Sequence, residues 1–209
     1  MVRSEAELAR GCRAGSREHL EELVDRFYGP VVNFIARFLG RRDVAHDLAQ
    51  EVFIKVIRSI GTYDDRASLR TWIFTIAANV CRDELRRVKR RREVLESDAP
   101  ELWLIGDAVA DGRAEHSPQR RMDRSLEGLI IRKAVAALPD PHRMTVILRF
   151  FHDMSLKEIA QVCGCSVGTV GSRLHYAIKK LRAILTEPSF VDDEEARDAL
   201  RNRQASASR

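Results

Sequence analysis

Apolar side chains recur at threes and fours through most of this chain, and nowhere does a stretch alternate with the period of a half-buried strand. That spacing confines the protein to packed helices. Leu20, Leu23, Val24, Phe27, Val31, Phe34, Ile35 and Phe38 form one stripe. Gly40 offers a stop and Asp43 an N-cap for the next helix, whose stripe is Val44, Leu48, Val52, Phe53, Val56 and Ile57. Gly61 and a polar loop, Thr62 to Ala67, close that segment. Ser68 is expected to cap a third helix carrying Leu69, Trp72, Ile73, Ile76, Ala77, Val80 and Leu85. From Val94 to Gln119 the periodicity fails, and Pro100, Gly106, Gly112 and Pro118 punctuate it. Spacing resumes with Leu126, Leu129, Ile130, Ala134, Val135 and Leu138. Asp140-Pro141 is expected to open another helix, with Asp140 as N-cap and Pro141 at the first position. Its buried face is Met144, Ile147, Leu148 and Phe151. The reading is an all-α protein of two small helical domains, 1–93 and 120–186, joined by a flexible acidic linker, 94–119, with a disordered polar tail, 187–209.

The sharpest local signal lies at Ser155 to Leu185. Ser155 and Glu158 have the spacing of a capping box, Gly164 supplies a tight turn, and Ser166 caps a following helix. This is the pattern of a helix-turn-helix, with Ile159, Val162, Val167, Val170 and Leu174 expected to bury between its helices. The start of the second helix presents Thr169, Ser172 and Arg173, where a recognition helix meets base edges. Lys179, Lys180 and Arg182 follow, suited to phosphate.

Net charge is +5, with seven basic residues against two acids between Arg82 and Arg92. The next segment reverses sign, with Glu93, Glu96, Asp98, Glu101, Asp107, Asp111 and Glu115. Such a distribution suits an anionic partner without demanding one. The cysteines at 12, 81, 163 and 165 lack the spacing of a zinc site and read as reduced thiols. There is no phosphate-binding glycine loop, ligand cluster or nucleophile motif, so neither catalysis nor a cofactor is expected. The first residues, MVRSEAELARGCRAG, lack an apolar segment, and no run approaches a membrane span. A cytoplasmic protein without membrane insertion is expected.

The segment DVAHDLAQEVFIKVIRSIGTYDDRASLRTWIFTIAANVCRDELRR resembles region 2 of extracytoplasmic-function sigma factors, group IV of the sigma-70 family. LPDPHRMTVILRFFHDMSLKEIAQVCGCSVGTVGSRLHYAIKKLR resembles their region 4, in the expected order. The resemblance covers roughly residues 5–185. It implies promoter-directed transcription with RNA polymerase core, in a stress or envelope response, held in check by an anti-sigma factor. By that resemblance Asp47, Leu48, Gln50 and Glu51 dock on the coiled coil of the largest subunit, and region 4 meets the flap. Asp47 and Glu51, four apart, share a helix face, with Leu48 expected as apolar anchor between them. Tyr63, Ser68, Trp72, Thr75, Asn79, Arg82, Arg86 and Arg87 are implied to serve the −10 element, including capture of an extruded base. Trp72 has two readings, core packing and base stacking. Ser166, Thr169, Ser172, Arg173, His175, Tyr176 and Lys179 are implied to serve the −35 element. Arg173 also has two readings, base and phosphate.

Two positions depart from the family pattern. Gly171 and Tyr176 stand where a cationic residue is common. Two other classes remain open at this level: a helix-turn-helix repressor with a helical sensing domain, and a regulatory protein whose helical halves bind other proteins.

Overall fold

The computed structural model describes residues 3–95 and 126–186. Val94 and Leu95, expected to begin the linker, are instead the last residues of a helix; the rest of the expected linker and the tail lie outside the described residues. Eight α-helices are described: α1 (Glu5–Arg13), α2 (Arg17–Leu39), α3 (Ala45–Ser59), α4 (Leu69–Leu95), α5 (Leu126–Ala136), α6 (Asp140–Phe150), α7 (Leu156–Cys163) and α8 (Val167–Thr186). A 3₁₀ turn, Ile60–Thr62, follows α3. No strand occurs among the described residues.

α1 escaped the periodicity argument because it is short, but its start was legible. Ser4 and Glu7 form a capping box, satisfying two backbone donors of the first turn. Gly11 lets α1 approach α2: a Cβ there would fall 2.1 Å from His19 Cδ2. The imidazole cannot swing away freely, since its Nδ1 is held 2.7 Å from Ser16 Oγ. Gly11→Ala is therefore expected to cost about 1–2 kcal/mol in urea unfolding, steric strain outweighing the gain in helix propensity. A stabilised variant would mean that the two helices part without penalty.

Gly40 ends α2 in the left-handed region, as expected. Asp43 does not cap α3. The N-cap is Val44, without a side-chain bond, and Asp43 instead accepts from Arg41 at 2.6 Å. Ser68 does hold the first turn of α4, accepting from the Thr71 backbone N–H at 3.1 Å. The start of α6 shifts by one: Pro139 is the N-cap and Asp140 already lies inside the helix. Pro141 still falls in the first turn, where its missing N–H costs little.

The N-terminal group, α1 to α4, is built around α2. Phe34 is fully buried and contacts Phe38 in a stacked arrangement (6.1 Å) and Phe74 edge-on (5.5 Å). In the C-terminal group, Ile147, Leu148, Met154, Ile159, Val162 and Val170 are buried between α6, α7 and α8. Val167, expected in that core, is 43% exposed.

The groups meet directly, with α7 against α4 and α6 against α2. His152, in the turn after α6, has its ring against Phe74 (4.8 Å) and Phe34 (5.9 Å). Burial, then the charges of Arg70 and Arg37, push the His152 imidazole down to about 3, so the ring is neutral at physiological pH.

Candidate nucleic-acid and protein-docking surfaces

α3 divides its residues by face. Leu48, Val52, Phe53 and Val56 turn into the core, while Asp47, Gln50 and Glu51 face solvent. Leu48 is 8% exposed and cannot anchor a partner, which corrects its assignment. Its helical phase is that of Val52, four residues on, whereas Ile54 and Ile57 lie in phase with Asp47 and Gln50. Ile57, expected in the core stripe, is 43% exposed, and Ile54 is 49% exposed. Asp47, Gln50, Ile54 and Ile57 thus step by three, four and three along one outward seam. Sequence reasoning missed the two isoleucines. Their spacing from Asp47 was the available signal. Glu51 flanks the seam, paired with Lys55 at 2.7 Å. A shallow groove of about 470 Å³ adjoins Ile57, lined by Leu20, Val24 and Asp25 among others.

The loop before α4 is braced from inside. Tyr63 is buried, its hydroxyl donating to the Ala67 carbonyl at 2.7 Å. Its own carbonyl accepts from Arg13 Nη1 at 2.9 Å. Tyr63 is therefore a post that shapes the loop rather than a surface on which a base stacks. Arg13 is a further brace that no sequence pattern announced, paired also with Asp65 at 3.0 Å. Asp65 has φ 61°, a left-handed conformation uncommon for a side-chain-bearing residue, and that ion pair helps hold it. Trp72 is half-buried, its ring 5.3 Å from that of Tyr63. A cavity of about 460 Å³ opens beside this loop, bordered by Ser68 and Arg66 on one side and by Glu158 and Gln161 of α7 on the other.

Along α4, Thr75 donates its hydroxyl to the Thr71 carbonyl at 2.9 Å. Asn79 is exposed and accepts from Arg82 at 2.6 Å. Arg82 also donates to the Val162 carbonyl at 3.2 Å. Arg86 pairs with Asp83 at 2.9 Å, and Arg87 with buried Glu84 at 2.7 Å. Arg90 and Arg91 extend the exposed basic face.

The helix-turn-helix has the caps its sequence announces. Glu158 N–H donates to Ser155 Oγ at 3.3 Å, Gly164 turns the chain at φ 64°, and Thr169 N–H donates to Ser166 Oγ at 3.1 Å. Ser172 is exposed and His175 and Lys179 lie on the same outer surface of α8. Arg173 is half-buried, its guanidinium 3.6 Å from Cys165 Sγ. Tyr176 is 48% exposed and its ring lies 4.6 Å from that of His142. Burial and the charges of Arg173 and Lys180 lower the basicity of His142.

Two family models match this architecture: Sigma-70 region 2 over residues 23–92, and Sigma-70 region 4 over residues 128–181. The chain is 33% identical over 162 residues to the ECF RNA polymerase sigma factor EcfG of Rhodopseudomonas palustris, covering 78% of this chain and 80% of that one. It is 31% identical over 175 residues to the RNA polymerase sigma-H factor of Pseudomonas aeruginosa, covering 82% and 88%. Among solved structures, the sigma factor RpoE of Bartonella quintana, in complex with the anti-sigma factor NepR, aligns with a TM-score of 0.63 at 26% identity. That alignment covers 80% of this chain and 97% of the other. A region 2 built on α2 to α4, with its basic helix, and a helix-turn-helix region 4 after it define a transcription initiation factor that works with RNA polymerase at promoters. The chain belongs to the sigma-70 family, in its extracytoplasmic-function group. Proteins of this kind select promoters for the polymerase and are not themselves enzymes. No described helix is long and apolar enough to cross a membrane.

Proposed function

We propose that the seam Asp47–Gln50–Ile54–Ile57, with Glu51 beside it, docks on the coiled coil of the polymerase's largest subunit in the cytoplasm. The observation that carries this reading is the three-four-three spacing of exposed residues on α3. Helices that pack along a coiled coil repeat their contacts at that interval. Two carboxylates beside two isoleucines suit a basic, partly apolar surface. Exposed Phe150 and Leu156, at the end of α6 and start of α7, are the matching apolar candidates for the flap.

The −10 element falls to the loop cavity beside Ser68 and to the outer face of α4 from Trp72 through Thr75 and Asn79 to Arg82, Arg86 and Arg87. An extruded base fits a pocket bordered by polar groups, and the arginines suit the flanking phosphates. The start of α8 serves the −35 element through Ser166, Thr169, Ser172 and Arg173, with His175, Tyr176 and Lys179 behind them. An anti-sigma factor controls the protein, a reading supported by the Bartonella quintana relative, whose structure contains one.

Readout by α8 has a direct test. Arg173→Ala at a base-reading position relaxes the preference at one base pair, at about 1–3 kcal/mol. At a phosphate position it weakens all sequences alike and lowers the salt slope by about one unit. The half-buried guanidinium beside Cys165 favours the base, because the side chain is held close to the helix start. A Cβ at Gly171 meets nothing within 4 Å, so Gly171→Arg is sterically free. It is expected to stabilise α8 by up to about 1 kcal/mol and to strengthen DNA binding generally. Selection from a randomised promoter library, run with core polymerase for each variant, reads both effects.

A further inference from the structure

The loop between the 3₁₀ turn and α4, assigned above to capture of a −10 base, is tied by side chains rather than by a backbone ladder. Tyr63 N–H donates to the Ile60 carbonyl at 3.2 Å. Further on, Arg66 N–H donates to Asp64 Oδ1 at 3.2 Å, and the Tyr63 hydroxyl reaches the Ala67 carbonyl. Two more ties come from α1, which ends at Arg13, ahead of the region 2 match that begins at residue 23.

At the near end of the loop, Arg13 spreads its guanidinium over two groups. Nη1 donates to the Tyr63 carbonyl at 2.9 Å, and Nη2 pairs with the Asp65 carboxylate at 3.0 Å. Its Cζ lies 5.8 Å from the centroid of the Tyr63 ring. The fork thus fixes a backbone carbonyl, the ring beside Trp72, and the residue whose φ of 61° turns the loop. At the far end, Glu5 Oε2 accepts from the Arg70 backbone N–H at 3.3 Å. That N–H lies in the first turn of α4, where no carbonyl of its own helix can reach it. About 12 Å of helix separates Glu5 from Arg13, at about 1.5 Å per residue, so one rod grips both ends of the loop. The rod is itself fixed. Leu8, Ala9 and Cys12 bury its other face, and Arg26 Nη2 of α2 lies 4.0 Å from Glu5 Oε1. Glu5 and Ala6 also line the loop cavity, with Tyr63, Ser68 and Leu69.

We propose that α1 is part of the −10 reader. Arg13 is a positioning residue that holds the loop in its base-accepting shape, and Glu5 ties the loop to the start of α4 and forms a wall of the pocket. The inference rests on the −10 assignment above. Extruding a base costs stacking energy, and a pocket that must be ordered at that same moment recovers less of it than one already shaped.

The test uses the full chain with core polymerase. Arg13→Gln can still reach the Tyr63 carbonyl but loses the ion pair, whereas Arg13→Lys keeps a charge for Asp65 and loses the fork. Ser4→Ala removes the N-cap of α1 and leaves both ties in place. Promoter libraries randomised at −10 or at −35 are transcribed in parallel. Arg13→Gln is expected to lose at least about fivefold in preference at one −10 position, the lower end of what one good base contact gives. Its −35 preference and its affinity for core polymerase are expected to hold. Arg13→Lys should recover part of the loss, and Ser4→Ala should keep the wild-type −10 preference. In a Trp103→Phe background Trp72 is the single tryptophan, and its emission in the free chain reports the loop. Arg13→Gln should shift that emission to the red and raise its quenching by acrylamide. The proposal is overturned if Arg13→Gln keeps the wild-type −10 preference, if it loses equally at both elements, or if Ser4→Ala reproduces its loss. A wild-type chain without any −10 preference would instead strike the −10 assignment, and the Trp72 emission would still decide whether Arg13 holds the loop.

Discussion

Phe34→Ala is expected to destabilise the protein by about 3–5 kcal/mol, the range for deleting a fully buried aromatic. Native stability is itself only about 5–15 kcal/mol, so this single change removes a large part of it. The side chain is 0% exposed and joins α2 to α4 through Phe74. It also touches the His152 ring, so its loss loosens the contact between the groups as well as the core of one of them. Denaturant unfolding followed by far-ultraviolet circular dichroism should show a lower midpoint. An added early transition, reported by a fluorophore on α7, would mark the C-terminal group detaching first. A loss below about 1 kcal/mol would show that neighbouring side chains refill the site and that Phe34 does not join the two groups.

The largest functional effect is expected on α3. Asp47→Ala with Glu51→Ala should weaken core polymerase binding by about 1–3 kcal/mol, roughly a 5- to 150-fold loss, if both carboxylates sit centrally in the interface. Ile54→Asp should match or exceed that, because it places a charge where the seam is apolar. Both variants should keep native circular dichroism, since all three side chains face solvent. Leu48→Ala provides the contrast. With Leu48 8% exposed, its truncation should cost about 2–5 kcal/mol of folding stability and alter docking only through that loss. A titration of labelled protein with core polymerase separates the cases. Full affinity in the Asp47, Glu51 and Ile54 variants would remove α3 as the docking helix.

Most of the local architecture was legible in the amino-acid order. The capping box at Ser155 and Glu158, the turn at Gly164 and the stop at Gly40 depend on residues within a few positions of one another, so the sequence states them directly. The start of α1 was equally available at Ser4 and Glu7 and was missed only because the apolar pattern there is short. Boundaries moved by one residue at Asp43 and Asp140, where Val44 and Pro139 take the N-cap position without a side-chain bond. The order of a basic helix and a helix-turn-helix, and with it the family, was likewise carried by the sequence.

Tertiary structure decided which side of each helix is used. Periodicity shows that α3 has an apolar face, but Ile54 and Ile57 are as apolar as Val52 and Val56, and only the position of α2 and α4 assigns one pair to water and the other to the core. Tyr63 could serve a base or a loop until Arg13 and Ala67 were seen to hold it from 50 and 4 residues away. The contact between the two helical groups is the extreme case: Arg70 meets a carbonyl 82 residues distant, and Arg143 one 105 residues distant. Caps and helical stripes are local, fixed by a few neighbours and by the 3.6-residue turn, whereas a backbone carbonyl carries no mark in the sequence of which distant side chain will reach it.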